Sequence, residues 1–388
     1  MRVLHLFDHY LPSTLSWVSR LLVHLQAVEV WVGAPWIIRN HFHHGTFRYF
    51  DFPLQVQPLF PAGREGQYPY WQRLLTRSQR FLPTYSWWLY AKTGKHPPDI
   101  IHAHFGPTGC LYLPLANRLG CPLVVTFYGF DYAKLLHNRP VFRRKYEALF
   151  NGAARVIAAS PTASNALEQL GCPPEKIRIV RPGIDLSLFP LAGRAKQPGT
   201  LHLVQAATIT AKKGHSTTLE AFRIALKACP NLRLTLAGEP YDQPLFYSLK
   251  DYLARHALEG RVSWTGPVDH RNMPGFLAAF DAFIHPSCRT ADGDHEATPV
   301  VLLEAQSTGL PVLATRHFDL PDQVQEGRTG FLVEEDDAPA LAQAISRLYQ
   351  MDANRYLSMR KQAHQWMAEQ FSVGNSAGQL QKIYQELS

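Results

Sequence analysis

The chain has 388 residues, which is room for two domains of ordinary size. Apolar residues make up 46% and charged residues 18%, so the composition excludes wholesale disorder. No apolar run approaches the ~18 residues that a membrane-spanning helix needs, and the first residues lack the apolar segment of a signal peptide. Five scattered cysteines without a CxxC pair disfavour disulfides and structural zinc, so these features together predict a reduced, cytoplasmic protein.

Positive charge is concentrated in the first half of the chain. Residues 1–195 hold 21 Lys and Arg against 10 Asp and Glu, whereas residues 196–388 hold 18 against 21. The first half therefore carries +11 and the second half −3. This asymmetry indicates either an anionic partner, such as a membrane surface, a phosphorylated acceptor or nucleic acid, or a solvated face without a partner.

Short apolar segments alternate with amphipathic segments through most of the chain. Strands are predicted at residues 3–7, 28–34, 99–105, 122–129, 155–160 and 176–184, then at 201–207, 232–239, 261–266, 282–287 and 311–316. Helices are predicted at 15–25, 108–119, 143–150 and 161–170, then at 215–228, 244–256, 272–279 and 299–308. Buried strands that are each followed by a helix predict parallel sheets with right-handed crossovers. Two such series predict two doubly wound α/β domains that face each other.

The linker between the domains is predicted at residues 187–200, which are rich in proline, glycine and small side chains. The first domain then covers residues 1–190 and the second covers residues 200–370. The chain from Pro339 onward is predicted to be helical, and its last helix, at 374–387, lies far in sequence from any strand.

An aromatic and basic stretch, residues 36–98, interrupts the first series of strands. Its arginines and tryptophans are Arg73, Arg77, Arg80, Trp71, Trp87 and Trp88. One interpretation is an irregular insert whose aromatic rings pack against the domain. The other is a surface for an acceptor or for a lipid headgroup region, since Trp and Arg suit that environment.

Two carboxylates, Glu296 and Glu304, lie eight positions apart across a predicted start of a helix. Pro299 can begin that helix, because the first turn does not need a proline N–H. The unpaired N–H groups at the helix start are those of Thr298, Val300 and Val301, and they would form an anion site suited to a diphosphate. Glu304 can accept from a ribose diol and Glu296 from sugar hydroxyls, so one nucleotide sugar would satisfy the set. The alternative is two glutamates with no joint role.

The stretch PSCRTADGDHEATPVVLLEAQSTGLPVLATRHFDLPD (286–322) resembles the donor-binding region of family 4 glycosyltransferases, which are retaining enzymes of GT-B fold. It is most similar to the branch that builds bacterial exopolysaccharides and lipid-linked oligosaccharides. Further similar segments are HAHFGPTG (102–109), VVTFYGFD (124–131), RPGIDLSLF (181–189), KKGHSTTLEAF (212–222) and FSVGNSAGQLQKIYQEL (371–387). The resemblance covers most of the chain outside residues 36–98. It implies that the final segment, 371–388, crosses back to complete the first domain.

The resemblance also implies a role for each matching residue. Glu296, Lys213 and Tyr128 would be catalytic, with Lys213 neutralising the diphosphate as it leaves. The donor-binding set would be Glu304, Ala297, Thr298, Pro299, Val300, Thr208, Lys212 and Gly238, and the acceptor-side set would be Ser13, Thr14, His104 and Asp131. The co-substrate would be a UDP- or GDP-sugar, with no metal and no other cofactor. The acceptor would be a glycan or lipid-linked hydroxyl on an anionic membrane face, and no nucleic acid is expected.

Three positions depart from the family pattern. Thr208 stands where the family usually has an arginine, so it offers a hydrogen bond but no charge, which Lys212 or Arg289 would have to supply. Tyr128 stands where the family often has a histidine. The segment YLPSTL (10–15) replaces a glycine-rich loop, although Ser13 and Thr14 can still donate hydrogen bonds. These departures bear on donor identity and rate rather than on the class of reaction.

Weaker candidates allow other interpretations. His102 and His104 share one face of a strand, which favours a place lining the cleft over a metal site. Asp292 and Asp294 resemble the DxD of metal-dependent transferases but favour a solvated loop. Asp131 could orient the acceptor or cap the next helix. Two rival functions are a nucleotide-sugar epimerase of the same architecture and a non-catalytic protein that binds nucleotide sugars.

Overall fold

The computed structural model describes residues 1–10, 16–38, 43–52, 84–193 and 196–388. These residues form two compact units, of which one contains Met1–Gly183 and Val373–Ser388 and the other Ile184–Ser372. Ser13 and Thr14 lie outside the described residues, as do Trp71 and the three arginines predicted beside it. In the described parts of the chain, no helix is long and apolar enough to cross a bilayer.

The first unit contains a seven-stranded parallel sheet in the order β3-β2-β1-β4-β5-β6-β7. Its strands are β1 Arg2–Leu6, β2 Glu29–Ala34, β3 Arg48–Asp51, β4 Ile100–His104, β5 Leu123–Thr126, β6 Arg155–Ala158 and β7 Ile177–Ile179. Every residue of β4 and β5 is buried. Such strands read as continuous apolar runs because helices cover both faces of a parallel sheet.

The helices that cover this sheet come from the first part of the chain and from its last helix. They are α1 Ser16–Val23, α2 Thr84–Thr93, α3 Gly106–Leu119, α4 Lys134–Asn138, α5 Val141–Gly152, α6 Pro161–Gln169 and the last helix, α14 Val373–Gln385. Ser160 begins α6 by accepting a hydrogen bond from the Ala163 N–H at 3.0 Å. Apolar residues of α14, including Leu380 and Ile383, join the same buried core as Val3 of β1. The last helix therefore belongs to the first unit.

The second unit contains a six-stranded parallel sheet in the order β10-β9-β8-β11-β12-β13. Its strands are β8 Leu201–Ala206, β9 Leu232–Ala237, β10 Val262–Gly266, β11 Ala282–His285, β12 Val312–Thr315 and β13 Gly330–Val333. Its helices are α7 His215–Ala225, α8 Gln243–Arg255, α9 Met273–Leu277, α10 Val300–Ser307, α11 Leu320–Gln323, α12 Ala338–Gln350 and α13 Ala353–Gln370. Two apolar cores enclose the sheet.

The doubly wound architecture confirms the predicted fold class, and the structure differs from the sequence prediction in detail. Strands β3 and β13 were not predicted; β3 lies within the aromatic and basic stretch 36–98, in which no strand was assigned. The segment predicted as a linker belongs to the second unit, which begins at Ile184. Two buried cations hold that segment: Arg360 donates to the Ala192 carbonyl at 2.7 Å, and Lys196 donates to the Tyr349 carbonyl at 2.6 Å.

Candidate functional site

The residues predicted to bind the donor lie in the second unit, where the segments after the strands carry a glycine and five polar or charged side chains. In chain order these are Lys213 after β8, Gly238 after β9, His270 after β10, Glu296 after β11, His317 after β12 and Glu335 after β13. The carboxyl ends of parallel strands meet at one edge of the sheet, which is where doubly wound folds bind ligands.

Lys213 and Glu296 form an ion pair at this edge. The Lys213 Nζ lies 2.5 Å from the Glu296 Oε2, and each side chain is 13% exposed. Burial raises the pKa of the Glu296 carboxyl, but the charges of Lys213 and Lys212 outweigh it and bring that pKa to about 2. Burial lowers the pKa of the Lys213 ammonium, while Glu296 opposes that shift. The two residues assigned to catalysis in this unit are thus brought together as a charged pair.

Two glycines allow close backbone approaches beside this pair. Gly214 has a φ of +67°, and a Cβ there would lie 1.8 Å from the carbonyl oxygen of Pro286. Gly238 has a φ of +152°, and a Cβ there would lie 1.8 Å from the carbonyl oxygen of Ala207. Only glycine fits such positions. The turn after Lys213 can therefore lie against the end of β11. The close backbone approach explains the glycine at position 238 without its predicted contact with the donor.

Lys212 takes part in a neighbouring ion pair. Its Nζ lies 3.1 Å from the Asp294 Oδ1 and 3.3 Å from the His295 carbonyl oxygen. Asp292 accepts from the Thr290 hydroxyl at 2.5 Å and from the Asp294 N–H at 3.3 Å. Both aspartates of the DGD segment are therefore engaged in local contacts. Thr208 is exposed after β8, in the place where the resemblance led us to expect an arginine.

Helix α10 begins at Val300, one residue after Pro299, and Glu304 lies in its second turn. The Thr298 hydroxyl donates to the Asp319 Oδ2 at 2.6 Å, which holds the residues just before the helix. The start of α10 has no side-chain cap. Backbone N–H groups at such a helix start can bind an anion, and the predicted diphosphate contact stays a prediction.

Glu304 is nearly buried and contacts a histidine that the sequence analysis did not identify. The His270 Nε2 lies 3.0 Å from the Glu304 Oε1, and the two side chains are 20% and 5% exposed. The ring of Phe189 lies edge-on to His270 at 6.2 Å. His270 follows β10, so its approach to a helix that follows β11 could not be inferred from local sequence.

A second unpredicted contact holds the backbone at Glu296. The Glu296 N–H donates to the His317 Nε2 at 3.0 Å, and the His317 Nδ1 lies 2.7 Å from the Glu335 Oε1. The Glu335 Oε2 also accepts from the Arg289 N–H at 2.8 Å. His317 is 1% exposed. The sequence could have indicated His317 in one way only. It lies in the stretch 286–322, which resembles the donor-binding region of the family.

In the first unit, Tyr128 and His104 contact each other at the ends of β5 and β4. The His104 Nδ1 lies 2.6 Å from the Tyr128 hydroxyl, and the two rings are parallel. Burial raises the pKa of the Tyr128 hydroxyl above its ordinary value, so this side chain is a neutral phenol. The ring of Trp17 meets Tyr128 edge-on at 5.3 Å.

Asp131 is fully buried and anchors the loop that carries Tyr128. Its carboxylate accepts from the N–H groups of Gly106 at 3.0 Å, Tyr128 at 3.1 Å and Gly129 at 3.1 Å. Burial raises the pKa of this carboxyl to about 6, while these hydrogen bonds act against the rise. The contacts tie the loop after β5 to the start of α3, and a role toward an acceptor stays a prediction.

His5, His102 and His104 form a buried row on one face of this sheet. One ring nitrogen from each lies within 4.8 Å of the other two, which is close enough for all three to contact a metal ion. The rings of His102 and His104 are stacked at 4.4 Å, and the His5 Nδ1 lies 3.1 Å from the His104 Nε2. His102 contacts the Tyr384 hydroxyl at 2.5 Å and the Thr126 hydroxyl at 2.7 Å. The arrangement suits a hydrogen-bonded row better than a metal site.

Comparisons with known proteins identify the family of the chain. A family model described as Glycosyltransferase Family 4 matches residues 37–188, and one described as Glycosyl transferases group 1 matches residues 193–366. The chain is 30% identical over 297 residues to a putative colanic acid biosynthesis glycosyltransferase, WcaL, of Salmonella typhimurium, which covers 74% of this chain and 71% of that protein. It is 33% identical over 258 residues to the amylovoran biosynthesis glycosyltransferase AmsK of Erwinia amylovora, which covers 66% and 62%.

A solved structure shows the same fold. Anabaena HepE, determined in complex with UDP and glucose, superposes with a TM-score of 0.74 and covers 99% of each chain. Its sequence identity to this chain is 18%. At that identity the comparison supports the fold and not a particular substrate.

Proposed function

The chain belongs to glycosyltransferase family 4, and from this membership we propose that it is a retaining enzyme that uses a UDP- or GDP-sugar as its donor. The acceptor in this proposal is a hydroxyl group of a glycan or of a lipid-linked oligosaccharide. The relatives named for colanic acid and amylovoran biosynthesis support a place in the synthesis of a bacterial exopolysaccharide.

The observation that carries the proposal is the Lys213–Glu296 pair at the carboxyl edge of the second sheet. Cleaving the bond between sugar and diphosphate leaves about one extra negative charge on the phosphate. A buried ammonium beside that phosphate stabilises this charge without a metal ion. When the diphosphate contacts Lys213, Glu296 becomes able to accept from the hydroxyls of the sugar.

The nucleoside half of the donor has its own contacts in this proposal. Glu304 accepts from the ribose diol, and the uncapped start of α10 binds the diphosphate through the N–H groups near Val300. Thr208 supplies a hydroxyl in place of the missing arginine. In the first unit, Tyr128 and His104 act on the acceptor side.

Basic side chains of the first unit support a membrane-bound acceptor. Arg143, Arg144 and Lys145 are exposed on α5, where the Val141 side chain is also exposed. Each such cation near an anionic bilayer contributes ~1 kcal/mol of attraction. We place the enzyme at the cytoplasmic face of a membrane on this ground.

A binding screen followed by a turnover assay tests the proposal. We expect UDP or GDP to raise the melting temperature, since a ligand at 100 times its Kd adds about 2.7 kcal/mol of stability. Glu304→Ala should reduce that shift, and the wild-type protein should turn over the matching UDP- or GDP-sugar when a glycan acceptor is supplied. Failure of both nucleotides to bind would contradict the proposal. If the protein forms an epimerised donor without an acceptor, it is a nucleotide-sugar epimerase and not a transferase.

A further inference from the structure

A chain of two hydrogen bonds runs from the loop after β11 to the residues after β12 and β13. It begins at the Glu296 N–H, passes through both ring nitrogens of His317 and ends on Glu335, with distances of 3.0 Å and 2.7 Å along the way. The other oxygen of Glu335 accepts from the Arg289 N–H at 2.8 Å. The loop after β11 therefore binds the same carboxylate a second time, through Arg289. Both ends of the segment 289–296 are thereby held by one pair of side chains.

The chemistry of these groups fixes the protonation of His317. A backbone N–H can only donate, so the His317 Nε2 must accept from Glu296 and carries no hydrogen. In a neutral imidazole the hydrogen then resides on Nδ1, and it is donated to Glu335. Burial raises the pKa of the Glu335 carboxyl, but the hydrogen bonds from Arg289 and His317 outweigh it, so Glu335 is an ionised acceptor. The buried, 1% exposed ring therefore has one tautomer that satisfies every partner.

A second contact from the same segment holds the next residues of the loop. Asp319 lies two positions after His317 and accepts from the Thr298 hydroxyl at 2.6 Å. Asp319 is 1% exposed, and its other oxygen accepts from the Gln323 amide at 3.2 Å. The residues after β12 thus fix the Glu296 segment at its backbone and again just before α10.

We propose that His317, held in its Nδ1–H tautomer by Glu335, is a positioning residue that sets the placement of Glu296 toward the donor sugar. This inference rests on the proposed function, because it takes Glu296 to act on the sugar of a nucleotide donor. His317 itself touches neither the donor nor the reacting atoms in this proposal. Its effect passes through the Glu296 backbone, which must be correctly placed for the carboxylate to exchange Lys213 for the sugar.

The first experiment examines the tautomer without any ligand. The protein is labelled with 15N-histidine, and the His317 signals are assigned by their loss in His317→Gln. Long-range 1H–15N spectra should show a protonated Nδ1 and an unprotonated Nε2. A protonated Nε2 in the folded protein would overturn the inference, and this readout does not depend on whether a donor has been identified.

The second experiment uses amide side chains of two lengths. A glutamine oxygen reaches about the position of the imidazole Nε2, whereas an asparagine oxygen reaches only that of Nδ1. We therefore expect His317→Gln to keep kcat within about threefold of wild type, because it can still accept from the Glu296 N–H. His317→Asn and His317→Ala should lower kcat about a hundredfold, as expected when a reacting group is displaced by about 1 Å.

The probes are UDP and UDP-glucose, or GDP and GDP-mannose if the guanosine nucleotide binds. Affinity for the bare nucleoside diphosphate should stay within about twofold in all three variants, because Glu304 and the start of α10 are untouched. Equal loss of kcat in the Gln and Asn variants, or equal loss of nucleotide affinity and kcat, would reduce His317 to a general structural residue. A wild-type protein that binds neither nucleotide would instead refute the proposed function while leaving the tautomer result in force.

Discussion

Lys213 and Glu296 are each 13% exposed, and neither charge is stable at that depth without the other. The pair explains how the second unit keeps a cation near its carboxyl edge when no anion is bound. In the proposed function, a bound diphosphate would compete with Glu296 for the ammonium. That exchange would couple donor binding to the release of a carboxylate that can accept from sugar hydroxyls.

Lys213→Ala should lower kcat more than it raises the KM for the donor. The charge on the leaving diphosphate grows as the bond breaks, so the ammonium contributes more in the transition state than in the ground state. Losing such a group typically costs about a hundredfold or more in kcat. Steady-state kinetics at saturating acceptor measure both constants. A rise in KM with unchanged kcat would mean that Lys213 only binds the donor.

The same variant leaves the Glu296 carboxylate buried without its cation. Melting temperatures of Lys213→Ala and of Lys213→Ala with Glu296→Gln therefore serve as the control. A melting temperature that falls in Lys213→Ala and recovers in the double variant would trace the destabilisation to the unpaired carboxylate. The kinetic loss of Lys213→Ala is then due to the missing ammonium if that single variant is still fully folded at the assay temperature.

Glu304→Ala should weaken binding of the bare nucleoside diphosphate. The ribose diol loses its acceptor, and hydrogen bonds to charged groups are worth about 1.5–3 kcal/mol, which is about tenfold or more in Kd. His270→Ala should give a smaller loss, because it removes only the group that orients Glu304 from 3.0 Å away. Calorimetric titration with UDP and with 2′-deoxy-UDP measures both effects. An affinity for UDP that is unchanged in Glu304→Ala would disprove the ribose role.

Turnover should persist without divalent metal ions. Lys213 and the start of α10 provide the positive charge that a metal would otherwise bring to the diphosphate. The measurement is the rate in excess EDTA compared with the rate after manganese or magnesium is restored. Complete loss in EDTA with full recovery on metal addition would instead implicate Asp292 and Asp294.

At the level of elements, alternating apolar runs predicted eleven of the strands now seen in the described residues, and they placed Lys213 and Glu296 in segments that follow strands. The strands β3 and β13 were missed, and length is not the reason, because β5 and β7 are equally short or shorter and were predicted. The contacts His270–Glu304 and His317–Glu296 were also missed. Each contact joins two segments that follow different strands. Strand order and register bring such segments together, and neither can be inferred from local sequence.

Asp131→Asn tests whether the loop after β5 depends on a carboxylate. Both oxygens accept from backbone N–H groups, so an amide nitrogen would face a donor wherever it is placed. We expect a loss of about 1–3 kcal/mol in the free energy of unfolding. Denaturant unfolding followed by tryptophan fluorescence measures it.

Asp337→Asn is the matched control for that variant. Asp337 caps α12 by accepting one hydrogen bond from the Ala340 N–H at 2.8 Å. Asparagine caps helices as well as aspartate does, so this change should be nearly neutral. Equal losses of unfolding free energy in the two variants would show that the three hydrogen bonds to Asp131 do not require a carboxylate.

At the level of the whole molecule, the first unit is assembled from both ends of the chain. Helix α14 supplies Val373, Ala377, Leu380, Ile383 and Tyr384 to the core that also holds residues of β1 and α1. Periodicity predicted this helix but not its partner, which was implied by the family resemblance.

Leu380→Ala should therefore destabilise the first unit alone. Leu380 is 1% exposed, and removing a buried leucine side chain typically costs about 2–5 kcal/mol. Hydrogen exchange read peptide by peptide should show faster exchange in β1 and β4, with unchanged protection in β8 and β9 and unchanged affinity for the nucleotide. Leu357→Ala, at a 47% exposed position of α13, is the control and should change stability by no more than about 0.5 kcal/mol. Equal loss of protection in both sheets would mean that the two units unfold as one, and a nucleotide affinity that falls with Leu380→Ala would mean that the donor site depends on the first unit.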